Sequence, residues 1–205
     1  MYDEIKTSLR KAYDLKVEER QGKGTAKWKD AERRAFLALL QAEEKHTLLE
    51  IGAGTGVHGL FFHENGLEVV CTDLSSAMVA SCRAKGLAAH VMDFLNLDFP
   101  ARTFDAVFAM NCLLHVPHAE FGRVLESVRR VLKPGGVFFL GQYGGQDEEA
   151  VYENDHYEPK RFFAFLTDEQ IEEETKKVFG METFKVITLD DDGSDLHFQA
   201  LVLRR

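Results

Sequence analysis

The stretch that decides the fold is "LLEIGAGTG", Leu48 to Gly56. A short apolar run breaks into glycines at alternate positions, Gly52, Gly54 and Gly56, and "VHGLFFHEN" follows as a helix with Gly66 suited to its C-cap. Glycine at a strand-to-helix junction permits positive φ and lets a ligand touch main chain. A plain βα turn has little use for three of them. The dinucleotide fingerprint is G-x-G-x-x-G/A, with pyrophosphate on the helix N-terminus. Here the spacing is G-x-G-x-G, and Val57 stands one position further on. Glu50 closes the strand beside the loop. A carboxylate there would repel a pyrophosphate and suit an ammonium or a sulfonium. The alternative is a rim carboxylate paired with a lysine.

Working outward from this loop, apolar runs alternate with helical patterns. "LEVVCTD" reads as a second strand, and "SSAMVASCRAK" as a helix with Ser75 as N-cap and Gly86 as stop. "AAHVMD" and "FDAVFAM" are a third and a fourth strand, "AEFGRVLESVRRVL" is an amphipathic helix ended by "KPGG", and "GVFFLGQY" is a fifth strand. Such alternation predicts βαβ units and a parallel sheet with right-handed crossovers. The tail breaks the pattern. "TDEQIEEETKKVF" opens with a capping box from Thr167 to Gln170. "METFKVITL" and "HFQALVLRR" then follow with only "DDDGSD" between them, so they form a hairpin, and one of the two runs antiparallel to the sheet. The acidic tip reads as solvated rather than as a metal site, which would need further ligands. Before the first strand, the arm through His46 reads as helix, loop, helix, with "QGKGTAKW" as the loop and "AERRAFLALLQ" as the second helix.

The bulk numbers narrow the function. At 205 residues, 45% hydrophobic and 29% charged, the chain can bury an ordinary core. A net charge of −9 argues against nonspecific nucleic-acid binding, which needs a basic surface. The first 46 residues carry 11 Lys+Arg against 9 Asp+Glu, so the arm differs in composition from the acidic body. There is no signal-peptide pattern and no apolar run of transmembrane length. Three cysteines, Cys71, Cys82 and Cys112, without CxxC spacing, fit a reducing cytoplasm and no structural zinc site.

Candidate site residues follow from the strand ends. Asp73, 17 positions after Gly56, stands where an acidic residue hydrogen-bonds a ribose diol. This feature says adenosine without saying which adenosine. Asp93 and Phe94 end the third strand. They either bind an adenine amino group and cover its face, or are a helix-capping Asp before a core Phe.

At this point the order of motifs is informative. "LLEIGAGTG", "CTDLSSAMV", "HVMDFLNLDFP", "FDAVFAMNCLLHVP" and "VLKPGGVFFL", spanning roughly residues 47 to 143, resemble class I S-adenosylmethionine-dependent methyltransferases. The resemblance implies an α/β three-layer sandwich. Its mostly parallel seven-stranded sheet has order 3-2-1-4-5-7-6, with the reversed strand in the C-terminal hairpin. It implies that Glu50, Gly52, Ala53, Gly54 and Gly56 border the methionine part of the cofactor. Asp73 would hold the ribose hydroxyls, with Leu74 and Met78 packing nearby, and Asp93 and Phe94 would address adenine. Asn111 would lie near the amino-acid end and the methyl group. Residues 1–46 would be a helical lid, in which Tyr13 and Trp28 either touch the cofactor or pack on the lid's own helices. Residues 47–205 would be the cofactor-binding domain.

The end of strand four bears on the acceptor. Met110-Asn111-Cys112-Leu113 lacks the Asn/Asp-Pro-Pro-aromatic stretch of enzymes that methylate exocyclic base amines, and no carboxylate set suggests a metal-dependent catechol enzyme. "CLLHVP" resembles the small-molecule branch. His115 is the candidate general base if the acceptor must lose a proton; its alternative is packing or capping. Cys112 reads as a small buried hydrophobe. The long segment 142–166 reads as an ordered substrate-side insertion. Within it, Tyr143, His156, Tyr157 and Arg161 could line the acceptor pocket, or Arg161 could pair with Glu153, Asp155 or Glu158. The expected protein is therefore a monomeric or homodimeric cytoplasmic methyltransferase. It converts S-adenosylmethionine to S-adenosylhomocysteine and uses a small-molecule oxygen, nitrogen or sulfur nucleophile, with no metal, nucleic acid or membrane. Its rivals are a NAD(P)-dependent oxidoreductase on a Rossmann fold and a non-catalytic S-adenosylmethionine-binding protein.

Overall fold

The computed structural model describes residues 2–22, 24–189 and 196–205. The chain begins with three helices, α1 (Tyr2–Asp14), α2 (Val17–Gln21) and α3 (Lys27–Ala42). Strands and helices then alternate: β1 (Thr47–Ile51), α4 (Val57–Glu64), β2 (Glu68–Asp73), α5 (Ser76–Ala84), β3 (Ala88–Val91) and β4 (Phe104–Met110). A 3₁₀ turn, Leu113–His115, leads to α6 (His118–Val131) and β5 (Leu132–Gly144). A two-stranded hairpin follows, β6 (Glu148–Val151) and β7 (Phe162–Phe165), then α7 (Asp168–Lys176), β8 (Gly180–Ile187) and β9 (His197–Arg204).

The main sheet has seven strands in the order β3-β2-β1-β4-β5-β9-β8. β1 pairs in parallel with β2 and β4, while β9 runs antiparallel to both β5 and β8. This is the expected order, the last two strands being renumbered by the β6–β7 hairpin. That hairpin is the ordered form of the segment read as an insertion, though β5 extends through Gly144 and pairs there with His197. The acidic tip at 190–195 lies outside the described residues.

β1 lies at the centre, and Leu48, Leu49 and Ile51 are fully buried. A strand covered on both faces reads as a continuous apolar run, which is why "TLLEI" shows no alternation. Leu49, Ile51 and Val107 face α6 through Phe121, Val124 and Val128, and α7 through Ile171. Leu48 and Phe108 face the opposite layer, built by α3, α4 and α5. Phe108 stacks on Phe139 at 4.8 Å between centroids, with Phe36 and Phe62 against them. The arm therefore divides. Phe36 and Leu40 make α3 part of the sheet's helix layer, and α1 and α2 lie over the edge where β1, β2 and β4 end. Among the described residues no helix is long and apolar enough to cross a membrane.

Candidate active site

A cavity of about 310 Å³ opens at the carboxyl edge of the sheet, where open α/β folds bind ligands. Gly52, Ala53 and Gly54 reach it from the end of β1, Asp73 and Leu74 from β2, Phe94 from the loop after β3, and Asn111 from β4. All three loop glycines have positive φ: 62° at Gly52, 55° at Gly54 and 79° at Gly56. Their uses differ. A Cβ at Gly52 would stand 2.3 Å from the Cys112 Cβ, and one at Gly56 would stand 2.9 Å from the Cys82 Sγ. At Gly54 the nearest atom is Arg20 Nη2 at 3.8 Å, so this glycine alone leaves its space to the cavity. Gly56 does not line the cavity; it lets α4 pack on α5.

Asp73 ties the loop to the next strand. Its Oδ2 accepts the Gly54 N–H and its Oδ1 the Ser75 N–H, each at 2.8 Å. Burial pushes its pKa up, while these two N–H bonds and the Arg20 charge oppose the shift. Asn111 has φ 56°, unusual for a residue with a side chain. Its Oδ1 is buried on the wall without a partner. A buried acceptor left unpaired costs about 1–3 kcal/mol, which a ligand donor would recover.

Several expected contacts are placed elsewhere. Glu50 is 2% exposed and does not line the cavity. Its Oε2 accepts the Cys71 thiol at 3.5 Å, and the carboxyl also takes the Gly59 N–H. Burial pushes its pKa well up. The carboxyl lies inside the α4 side of the sheet and away from the cavity, so the argument that its charge repels a pyrophosphate fails. Asp93 caps its own turn, with Oδ1 accepting from Leu95 and Asn96 and Oδ2 pairing with Lys6 of α1 at 2.9 Å. Phe94 alone of that pair reaches the wall. Met78 is buried within α5 and does not line the cavity.

The four residues expected on the acceptor side also pack away from the cavity. Tyr143 lies against Trp28 and Phe198. His156 is exposed beside Glu19. Arg161 forks onto the buried Asp155, at 2.7 and 2.8 Å, and its guanidinium lies 3.7 Å from the centre of the buried Tyr157 ring. Asp155 is the partner because its carboxylate, six residues away, would otherwise be buried without a counter-charge.

His115 and Tyr13 do meet on the wall. His115 Nδ1 lies 2.7 Å from the Phe162 carbonyl, which only accepts, so Nδ1 carries the hydrogen. Burial pushes the His115 pKa down to about 3, so the ring is neutral and Nε2 holds a lone pair. The Tyr13 hydroxyl donates to that lone pair at 2.6 Å and accepts from Arg161 Nη1 at 3.3 Å. Sequence reading missed Leu9, Arg20, Thr25 and Lys29 on the wall. Leu9 lies one helical turn before Tyr13, a spacing that could have found it. Nothing local marks the others.

Residues 48–136 match the family described as "Methyltransferase domain". The match takes in the glycine loop, Asp73 and Asn111 and stops within β5. The sterol 24-C-methyltransferase ERG6B of Gibberella zeae is 41% identical over 69 residues, 34% of this chain and 17% of that protein. The demethylmenaquinone methyltransferase of Beutenbergia cavernae is 34% identical over 113 residues, 54% of this chain and 46% of that protein. The chain thus spans half or less of these relatives' length. Burkholderia thailandensis 1,6-didemethyltoxoflavin-N1-methyltransferase, solved with 1,6-didemethyltoxoflavin and S-adenosylhomocysteine, superposes with a TM-score of 0.75 over 100% of this chain and 90% of that one. At 21% identity that likeness is one of fold. The glycine loop, Asp73, Phe94, Asn111 and His115, which make one side of the cavity, lie within the matched segment. The N-terminal helices α1, α2 and α3, Tyr13 among them, lie outside the matched segment.

Proposed function

We propose that the chain binds S-adenosylmethionine and transfers its methyl group to a small-molecule acceptor. The observation that carries this reading is the buried, unpartnered Asn111 Oδ1 on a wall shared with Gly54 and Asp73. A dinucleotide would present a pyrophosphate to the loop. An acceptor oxygen without a donor suits an ammonium instead. The residues fit the cofactor: Asp73 holds the ribose hydroxyls, Leu74 and Phe94 flank the adenine, and Asn111 accepts from the amino group. When bound, S-adenosylmethionine supplies a methyl carbon made electrophilic by its positively charged sulfur.

The protein's own contribution is to position, to exclude water and to take a proton. His115 takes that proton at Nε2, the one lone pair its tautomer offers, once opening of the lid relieves the burial that holds its pKa near 3. In the closed lid the Tyr13 hydroxyl occupies this place, so it stands where an acceptor O–H would donate. A cavity of about 310 Å³ is at the small end of single-ligand pockets, about 300–1,000 Å³. Acceptor entry therefore requires Tyr13 to leave, and α1 with α2 to act as the lid. The three cysteines are free and buried, which supports a cytoplasmic location.

The test is calorimetric titration with S-adenosylmethionine, S-adenosylhomocysteine and NAD, followed by an acceptor screen with labelled methyl donor. Binding of the first two, with NAD silent, is expected. Binding of NAD alone would overturn the reading. For the base, His115→Gln should leave S-adenosylhomocysteine affinity within about twofold while lowering turnover about 10²–10⁴-fold. Full turnover in that variant would remove His115 from the chemistry.

A further inference from the structure

We propose that Arg20 and Lys29 form a carboxylate seat on the lid side of the cavity. Its occupant is either the cofactor's amino-acid carboxylate or a carboxylate on the acceptor. The first source rests on the S-adenosylmethionine reading; the second does not.

Arg20 ends α2 and Lys29 opens α3, and the loop between them brings Gly24 and Thr25 to the same wall. Among the described residues neither cation makes an ion pair. The Arg20 guanidinium donates to the Tyr157 hydroxyl at 3.2 Å and lies 5.2 Å from the Tyr13 ring centre. The Lys29 ammonium lies 5.0 Å from the Trp28 ring centre and 5.1 Å from that of Tyr143. Ring faces attract a cation but leave it uncompensated. Burial and the neighbouring Arg20 charge push Lys29 down to about 8.

Three other sheltered cations are paired with carboxylates. Arg161 has Asp155, Arg204 has Glu43 and Glu182, and Lys6 has Asp93. The carboxylate nearest in role, Asp73, spends an oxygen on each of the Gly54 and Ser75 N–H groups, and it feels Arg20 only through space. Two like charges sheltered at a cavity without a counter-ion are costly, and an anion entering the cavity removes that cost. Arg20 belongs to the same lid element that closes over Gly54. The anion therefore draws α2 toward Lys29 at the start of α3, and the lid closes on a filled site.

The test compares wild type, Arg20→Gln and Lys29→Met, with Lys29→Arg as the charge-keeping control and thermal melts to confirm folding. Each is titrated with S-adenosylhomocysteine and with 5′-methylthioadenosine, which keeps the nucleoside and thioether but lacks the amino-acid part. Each is also titrated with benzoate, with and without saturating S-adenosylhomocysteine. If the cofactor supplies the anion, both neutral variants lose about tenfold or more for S-adenosylhomocysteine. They then keep wild-type affinity for 5′-methylthioadenosine, and Lys29→Arg restores binding. If the acceptor supplies it, S-adenosylhomocysteine affinity is unchanged, and benzoate binds wild type and Lys29→Arg but neither neutral variant. Equal loss for both nucleosides, or no dependence of any titration on the two cations, overturns the seat. A wild type that binds neither nucleoside sinks the cofactor reading by itself; the benzoate titration of the protein alone then decides the seat.

Discussion

The loop wall of the cavity and its lid wall are held by different forces. Gly52, Gly54 and Asp73 are fixed by backbone: three positive-φ glycines, and two N–H groups closing on one carboxylate. The lid wall is fixed by side chains that meet across the chain. Tyr13 reaches His115, 102 positions away, Arg20 reaches Tyr157, 137 away, and Arg161 reaches Tyr13, 148 away. A backbone-built wall is preformed and rigid. A wall of long-range polar contacts opens for the cost of a few hydrogen bonds, which is what the proposed lid requires.

That contrast can be broken in order of effect. Gly52→Ala should be the most damaging single change. The strain at φ 62° and the 2.3 Å approach to Cys112 together cost about 2–5 kcal/mol, read as a lower denaturation midpoint with cofactor binding lost. A midpoint equal to wild type would mean the loop is not rigid. Asp73→Ala should weaken cofactor binding by about 1–3 kcal/mol and also lower stability, because the Gly54 and Ser75 N–H groups lose their acceptor. Unchanged affinity would remove Asp73 from the site.

The third effect is a pH dependence. Burial holds the folded pKa of His115 near 3 and that of His58 near 4, below the unfolded value of 6.5. The unfolded chain therefore binds these protons first. The stability from keeping the two rings neutral is complete above pH 6.5 and is lost as pH falls toward 4 and then 3. Between pH 6.5 and pH 5 each ring should account for about 2 kcal/mol. Urea titrations at the two pH values should show the drop, and His115→Gln should remove its share. A variant as acid-sensitive as wild type would contradict a buried neutral His115.

Tyr13→Phe follows, leaving Nε2 without its donor. A cost of about 0.5–1.5 kcal/mol should appear as faster release of S-adenosylhomocysteine in stopped flow. An unchanged off-rate would mean that Tyr13 does not latch the lid. Lys6→Met should be smallest, under about 1 kcal/mol, because it removes a part-exposed pair with Asp93. A large loss of cofactor affinity there would return Asp93 to the adenine site.

The sheet was legible because its signals are local. "LLEIGAGTG" and the strand-helix alternation specify backbone conformation, and the lack of any helix before "HFQALVLRR" requires the reversed strand. The β6–β7 hairpin was not legible as strands, since "VYENDHYEPKRFFAF" mixes turn residues with aromatics that pack among themselves. Glu50 shows the limit for charge. Its position at a strand end is local, but the upward push on its pKa comes from burial beneath other elements, which the bonds from Cys71 and Gly59 oppose.

By itself, then, the sequence determined which strands form, their order around β1, and the glycines and Asp73 that make one wall of the cavity. Those properties follow from φ, from period and from which residues avoid water. Only the tertiary structure decided that Arg161 belongs to Asp155 and that Tyr13 holds His115 in one tautomer. It alone left Arg20 and Lys29 facing a cavity with, among the described residues, no ion pair of their own. A charge's partner and a buried group's pKa depend on what the fold brings within a few ångströms, and no stretch of chain carries that information alone.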